Sequence, residues 1–230
     1  MQFKTINLFG AGNIGLNICN LLIYEGIAET INLVTDQDEK FIKTLKLDFL
    51  NSSPYTKNKT NLDSYTYENF PHSSINIICG GTKQKAGDKR IDVIKQNKRY
   101  LKKILKKKLQ GEWIVVTNPD DLLAEYLYSN SDLKTNQITA LGISLDNMRG
   151  NAKAIYNNIL GQHNEDIYTK EGDLLNEIVR IPYEIIENKG YTTYGIAYVM
   201  LWYLKYKLRY EYRIVSKYNN EKGIFESKEI

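Results

Sequence analysis

The side chains with the most chemistry to offer in this chain are Asp146, Arg149 and His163. Arginine presents a planar fork that can hold a carboxylate through two parallel hydrogen bonds. Histidine can give or take a proton near neutral pH, and a buried aspartate beside it fixes its tautomer and stabilises its charged form. Asp146 and Arg149 lie three apart in a helical pattern, so both can face one cleft. Singly, each has a plainer reading: a surface ion pair of little energetic weight, or an ordinary loop histidine. Their order downstream of a glycine-rich turn, GAGNIG at 10–15, argues instead for a working set.

That turn sits where a nucleotide needs it. FKTINLF at 3–9 reads as a buried strand, and LNICNLLIYEG reads as the helix that follows. In G-x-G-x-x-G, Gly10 allows the tight turn, Gly12 lets the backbone approach a pyrophosphate, and Gly15 permits close helix–strand packing. The helix N-terminus favours negative charge. Asp36 ends the next strand, TINLVTD at 30–36, at the distance expected for a carboxylate that accepts hydrogen bonds from an adenosine ribose. It would repel a 2′-phosphate, which favours NAD over NADP. The expected cofactor set from this motif and strand end is Gly10, Gly12, Asn13, Ile14, Gly15 and Asp36.

Further along, SSINIICGG at 73–81, EWIVVTNPD at 112–120 and NQITALG at 136–142 read as strand segments. Helices are expected at 40–49, about 91–108 and DLLAEYLYS, with a polar loop at 51–61 and a mobile-looking loop, TKQKAGDKR, at 82–90. Strands alternating with helices imply right-handed crossovers and an α/β fold with a Rossmann-type, doubly wound parallel sheet. After about residue 143 the pattern turns helical, at 144–158, 172–189 and 192–209, with one further strand in YRIVSKY at 212–218. We therefore expect a dinucleotide-binding domain at 1–142 and a smaller, trimmed, mainly helical substrate domain at 143–230. Pro182 falls inside the second of these helices and should start or kink it.

The 230 residues suffice to bury a substantial core, and 42% hydrophobic with 25% charged residues is ordinary for a globular chain. No apolar run is long enough to cross a bilayer, and the N-terminus lacks a secretory pattern, so a cytoplasmic protein is expected. The lysine-rich stretch 98–108 carries Leu101, Ile104 and Leu105 at helical spacing, so it reads as a solvated helix face rather than a nucleic-acid patch. Cys19 and Cys79 lie in apolar runs and read as reduced thiols, not metal ligands.

The motifs GAGNIG, LVTDQDEK with LKLDF, IICGGTKQKAGDKRIDVIKQN, VVTNPDDLL, GISLDNMR, ILGQHNED and YEIIENKGYTTYGIA occur in the order found in the L-lactate/malate dehydrogenase family, which this chain resembles over most of residues 1–200. The resemblance implies roles. Arg90 matches the loop arginine that swings in and polarises the substrate carbonyl. Gln84 matches the specificity position, where a neutral side chain suits a small uncharged group; Lys83 and Lys85 flank it. Asn118 matches the asparagine beside nicotinamide and substrate. Arg149 matches the carboxylate clamp, Asp146 the partner of the histidine, and His163 the proton donor. Thr192 resembles a substrate-pocket threonine. The implied reaction interconverts a 2-oxo acid and an L-2-hydroxy acid.

The chain also departs from the family pattern. Asn164 follows His163 where the family has glycine, and Ala86 replaces a loop proline. Asp120 stands where the family commonly has an apolar residue, on what should be the nicotinamide side, where its charge is expected to perturb cofactor binding. Arg149 and His163 are closer together than usual, and the chain ends soon after GIFES, where the family adds strands and a closing helix. A trimmed half exposes apolar helices, so the Tyr-rich helix 192–209 is expected to be covered by another subunit of a homo-oligomer. A second reading is a catalytically silent NAD-binding homologue that serves as a regulatory or assembly subunit.

Overall fold

The computed structural model describes residues 2–52, 59–152, 159–163, 166–207 and 214–229. Its first half alternates as the sequence pattern requires: β1 (Phe3–Phe9), α1 (Asn13–Tyr24), β2 (Ala28–Val34), α2 (Glu39–Ser52), β3 (Asn61–Tyr65), β4 (Ile75–Ile78), α3 (Ile94–Ile104), β5 (Glu112–Val115), α4 (Asp120–Ser129) and β6 (Ile138–Ala140). Then come α5 (Gly142–Ala152), a short hairpin of β7 (Leu160–Gly161) and β8 (Ile167–Tyr168), α6 (Asn176–Lys189), α7 (Tyr194–Lys207), β9 (Ile214–Asn219) and β10 (Ile224–Glu229). The main sheet runs β10-β9-β6-β5-β4-β1-β2-β3. Strands β1 to β6 pair in parallel, and β9 and β10 add antiparallel.

The chain winds outward from β1 to β3, then returns to β4 on the other side of β1 and winds outward again. This reversal opens a crevice at the carboxyl ends of β1 and β4, where ligands bind in such sheets. Alternation along the strands feeds two cores. Ile6, Leu8, Ile31, Leu33, Ile75 and Ile77 pack with Ile18 and Leu22 of α1 and Val199, Met200 and Leu204 of α7. Phe9, Val34, Ile78, Trp113 and Val115 face the other way, toward Leu101 and Ile104 of α3 and Leu123 and Leu127 of α4. A third, small core of Ile143, Ile159, Ile167, Leu175, Ile178 and Val179 binds α5, the hairpin and α6 together.

Several sequence expectations change. The loop expected at 51–61 gives way at its end to β3, an edge strand whose residues NLDSY bury little and so carry no apolar signal; residues 53–58 lie outside the described residues. The helix expected at 91–108 is a 3-10 turn at Arg90–Val93 followed by α3, which ends at Ile104. Helix α6 starts at Asn176 and runs through Pro182, so the Ile178 carbonyl loses its amide donor there. The half after residue 142, expected to be mainly helical, also supplies β9 and β10 to the main sheet. Helix α7 packs Ile196, Val199, Met200 and Leu204 against α1, and its exposed Tyr194 and Tyr198 leave the expected contact with another subunit open. The expected ends of two helices, 153–158 and 208–209, lie outside the described residues. Cys19 and Cys79 are both free thiols.

One polar feature crosses the centre of the sheet. Asn7, Asn32 and Asn76 are buried at matched register on β1, β2 and β4. The Asn32 amide donates to Asn7 Oδ1 at 2.8 Å, and the Asn7 amide donates to Asn76 Oδ1 at 2.9 Å and to the Pro71 carbonyl at 2.7 Å. A side-chain register lock of this kind fixes how β1 meets both neighbours, and hence the crevice at their ends. Replacing Asn7 with Leu orphans a buried donor on Asn32 and a buried acceptor on Asn76, and should cost about 2–4 kcal/mol in urea unfolding. Leu47→Asn, on the exposed face of α2, should cost less than about 0.5 kcal/mol. An Asn7→Leu loss as small as that of the control would show that the ladder does not hold the sheet.

Candidate active site

The crevice is built around three glycines, two of which leave no room for a side chain. Gly10 has φ +115, and a Cβ on it would lie 2.4 Å from Gly80 Cα, so β1 and β4 are closed together at this point. A Cβ on Gly15 would lie 2.0 Å from the Gly10 carbonyl oxygen, which sets how closely α1 abuts the turn. Gly12 precedes α1, and a Cβ there would meet nothing within 4 Å. The backbone is thus open on the side where the N–H groups of a 12-residue helix point. Gly12, Asn13 and Ile14 line a cavity of about 300 Å³ with Thr82, Lys83, Gln84, Val116, Asn118, Tyr191 and Thr192. The open glycine, the helix end and this cavity fit the pyrophosphate and nicotinamide of NAD.

Asp36 ends up beside a partner that sequence reasoning missed. It is paired with Lys103 of α3, whose ammonium also lies 5.4 Å from the centre of the Tyr67 ring. Both ends of the pair are about half exposed, so the contact is readily exchanged for a ligand hydroxyl. Asn118 is held by Asn97, a buried residue of α3 that donates to the Asn118 carbonyl at 2.7 Å and accepts from the Thr82 amide at 2.6 Å. One side chain therefore ties the 82–89 loop to the wall of the cavity. The loop folds on itself: Gln84 is buried and donates to the Asp88 carbonyl at 2.6 Å, and Asp88 accepts from the Lys85 amide at 2.9 Å. The Gln84 amide thus bonds within its own loop, while Lys83 lies 5.6 Å over the Tyr191 ring at the cavity edge.

Behind this wall the structure brings Asp146, Arg149, His163 and Arg90 together. Asp146 is fully buried on α5 and divides its two oxygens: Oδ2 lies 2.5 Å from His163 Nδ1, and Oδ1 accepts from Arg149 Nη1 at 2.9 Å. The Arg149 side chain is only 10% exposed, so this is no solvated surface pair. Arg90, at the end of the 82–89 loop, is 4% exposed and close enough to act electrostatically on Asp146, Arg149 and His163.

His163 sits in the turn of the β7–β8 hairpin, which the end of the chain holds in place. Gly161 N donates to Ser227 Oγ at 3.0 Å and Gln162 Nε2 to the Phe225 carbonyl at 2.7 Å, both on β10. The His163 amide donates to Asp121 Oδ2 of α4 at 2.5 Å. The ring itself lies against Gly142, where a Cβ would come within 2.2 Å of it. Asp121, Gly142 and the β10 contacts were not singled out from the sequence; only the doubled aspartate after Asn118–Pro119 marked the place. Asn164, next to the histidine, lies outside the described residues.

Burial and neighbouring charge together set the protonation of this cluster. Burial, and then the Arg90 and Arg149 guanidiniums, lower the His163 pKa to about 4 against the pull of Asp146. Burial alone would raise the Asp146 carboxyl, but His163, Arg149 and Arg90 together hold it below its ordinary value. Asp120 corrects an expectation: it is buried, turned toward Gly142 N at 2.6 Å, and absent from the cavity lining, so its carboxyl does not face the nicotinamide side. Burial and the neighbouring Asp121 push its pKa well above the carboxylate range, and burial carries Asp121 up to about 7.

The chain is similar to known lactate and malate dehydrogenases. The chain is 26% identical over 225 residues to an L-lactate dehydrogenase of Halalkalibacterium halodurans, covering 84% of this chain and 72% of that one. It is 25% identical to the human L-lactate dehydrogenase A-like 6A, covering 86% and 71%. Its fold matches the minor L-lactate dehydrogenase of Enterococcus mundtii with a TM-score of 0.81 at 24% identity, over 97% of this chain and 85% of that one. It also matches Cryptosporidium parvum malate dehydrogenase with a TM-score of 0.82 at 19% identity, over 100% and 87%. Residues 4–140 match the family model described as the lactate/malate dehydrogenase NAD binding domain, and the chain belongs to that family of NAD-dependent oxidoreductases.

Proposed function

We propose that this protein interconverts a 2-oxo acid and an L-2-hydroxy acid with NAD as redox partner, in the manner of a lactate dehydrogenase. The observation that carries the reading is the buried Asp146 carboxylate, shared between an imidazole on one oxygen and a guanidinium on the other. Gly10–Gly15, Asp36 and Asn118 would hold NADH, which would supply hydride for the substrate carbonyl carbon. With Nδ1 held by Asp146, His163 presents Nε2 to the carbonyl oxygen and gives up its proton there. Asp146 stabilises the imidazolium before that transfer. Arg149 holds the substrate carboxylate by a bidentate pair, and Arg90 stabilises the negative charge that develops on the carbonyl oxygen. Gln84 and Thr192 border the substrate's remote end, and neutral Gln84 favours a small uncharged group there.

The depressed His163 pKa gives this site an order of events. With its pKa lowered to about 4, the imidazole is neutral at pH 7. A substrate anion beside Arg149 cancels part of the cationic field, so the proton enters with the substrate. The overall step is then balanced: 2-oxo acid, NADH and one proton give 2-hydroxy acid and NAD⁺.

Absorbance assays of NADH oxidation with pyruvate, oxaloacetate and bulkier 2-oxo acids test the reading, with pyruvate expected to be the better of the first two. His163→Ala should lower kcat by about 10²–10⁴-fold, and Arg149→Lys should raise KM for the 2-oxo acid with NADH affinity unchanged. Tight NADH binding by a folded protein without turnover of any 2-oxo acid would refute the enzyme reading and leave the silent NAD-binding subunit.

A second check concerns pH. With its folded pKa below the unfolded value near 6.5, His163 binds its proton more readily in the unfolded chain, so stability falls as pH drops from 6.5 toward 4. Relative to His163→Gln, the wild-type protein should lose on the order of 1–3 kcal/mol across that window. The ring should titrate near 4 by NMR in the protein without added substrate; a midpoint at or above 6.5 contradicts the burial and the cationic field assigned to it.

A further inference from the structure

Two consecutive carboxyls on the first turn of α4 converge on the histidine from different sides. Asp121 Oδ2 accepts from the His163 amide at 2.5 Å and so fixes the backbone of the ring. Asp120 Oδ2 accepts from the Gly142 amide at 2.6 Å. Gly142 is the first residue of α5, so its N–H belongs to the helix-start amides that have no partner within their own helix. It is also the floor beneath the imidazole: a Cβ there would collide with three ring and side-chain carbons of His163 at 2.2–2.5 Å. Four residues further along the same helix stands Asp146, bound to the other side of the ring.

We propose, building on the dehydrogenase reading, that Asp120 is a positioning residue that acts through Gly142: as a neutral acid it caps α5 from a neighbouring helix and fixes the distance between the helix start, the imidazole floor and Asp146. Its burial supports the neutral form. Asp120 is 1% exposed, and its Oδ1 is a buried oxygen with no hydrogen-bond partner among the described residues. An ionised carboxylate so placed would be costly, the more so beside Asp121 and with Asp146 nearby. The groups facing it are Asp121 from α4, Asp146 from α5 and Arg90 from the 82–90 segment. Arg90 favours the charged form, but burial and Asp121 outweigh it. An apolar side chain in this place would fill the space and leave the Gly142 N–H without its acceptor. The proposal thus assigns a purpose to a polar residue at a position where the family resemblance leads one to expect an apolar one.

Asp120→Asn and Asp120→Val separate the acceptor from the charge. Asparagine keeps an oxygen for the Gly142 amide and carries no charge; valine has similar bulk and no acceptor. The direct readout is the downfield proton NMR signal of the His163 Nδ1–H, identified by its loss in His163→Gln. It needs no turnover, so it decides this proposal even if no 2-oxo acid proves to be a substrate. Asp120→Asn should keep the signal, and kcat for pyruvate within about threefold of the parent. Asp120→Val should bind NADH with unchanged Kd, lose the signal, and lose about 10–100-fold in kcat, as expected when a reacting group is displaced by about an ångström. A valine variant that keeps signal and kcat overturns the proposal. So does an asparagine variant that loses the signal as fully as valine, since Asp120 would then act by its charge. If the valine variant does not fold, amide hydrogen exchange in the parent protein decides: a Gly142 N–H protected as strongly as the interior of α5 supports the cap, and rapid exchange overturns it.

Discussion

A carboxylate that has been taken out of water must be given cations or protons, and Asp146 is given both. Its neighbours are the His163 imidazole and the Arg149 guanidinium, one on each oxygen, with Arg90 close by. Desolvation alone would drive its pKa up; the surrounding positive charge more than reverses this. The consequence runs in both directions. Asp146 stays ionised and so can hold a charged imidazole, while burial and then the same guanidiniums favour the neutral imidazole.

The fold exists, in this respect, to bring distant pieces to that carboxylate. Asp146 and Arg149 come from α5, which begins where β6 ends at the edge of the parallel part of the sheet. His163 comes from a hairpin of two-residue strands that could not hold a conformation alone. Its rigidity is borrowed from β10 through Ser227 and Phe225 and from α4 through Asp121 and Glu125. Asn147 adds a brace, accepting from the Ile159 amide and donating to the Ile143 and Ile159 carbonyls, so the segment that leads into the hairpin is tied back to α5. The final antiparallel pair is therefore part of the site's support as well as the last addition to the sheet.

The parts of this that were legible in the sequence are those where a single residue type is forced locally. Gly10 and Gly15 are required by contacts of 2.4 and 2.0 Å to atoms nearby in the turn and sheet, so the motif announces itself. The strands β1, β4 and β5 are dominated by buried apolar residues, interrupted by Asn7 and Asn76, and α1 and α3 carry helical periodicity. What escaped notice depends on partners far along the chain. β3 is an edge strand with little to bury, and among the described side chains of β10 only Phe225 is fully buried, so neither shows a strong pattern. The Asp36–Lys103 pair spans 67 residues, and the Asp121 bond to the His163 amide spans 42. Such contacts are set by how the sheet is wound, which no local spacing encodes.

This division explains why Asp120 was misjudged from sequence. Its position in the turn after Asn118–Pro119 put it near the cofactor cavity, and an aspartate near a nicotinamide reads as a misplaced charge. The wound sheet instead rotates the start of α4 so that Asn118 faces the cavity while Asp120 and Asp121 face α5 and the hairpin. Three residues of one turn thus serve two sides of a wall: the first borders the cofactor space, and the next two hold the groups behind it. A change at either aspartate should then be felt at the imidazole before it is felt at the nucleotide. Proximity in sequence to a binding residue says little about function here; the direction a side chain takes at the helix start decides which chemistry it joins.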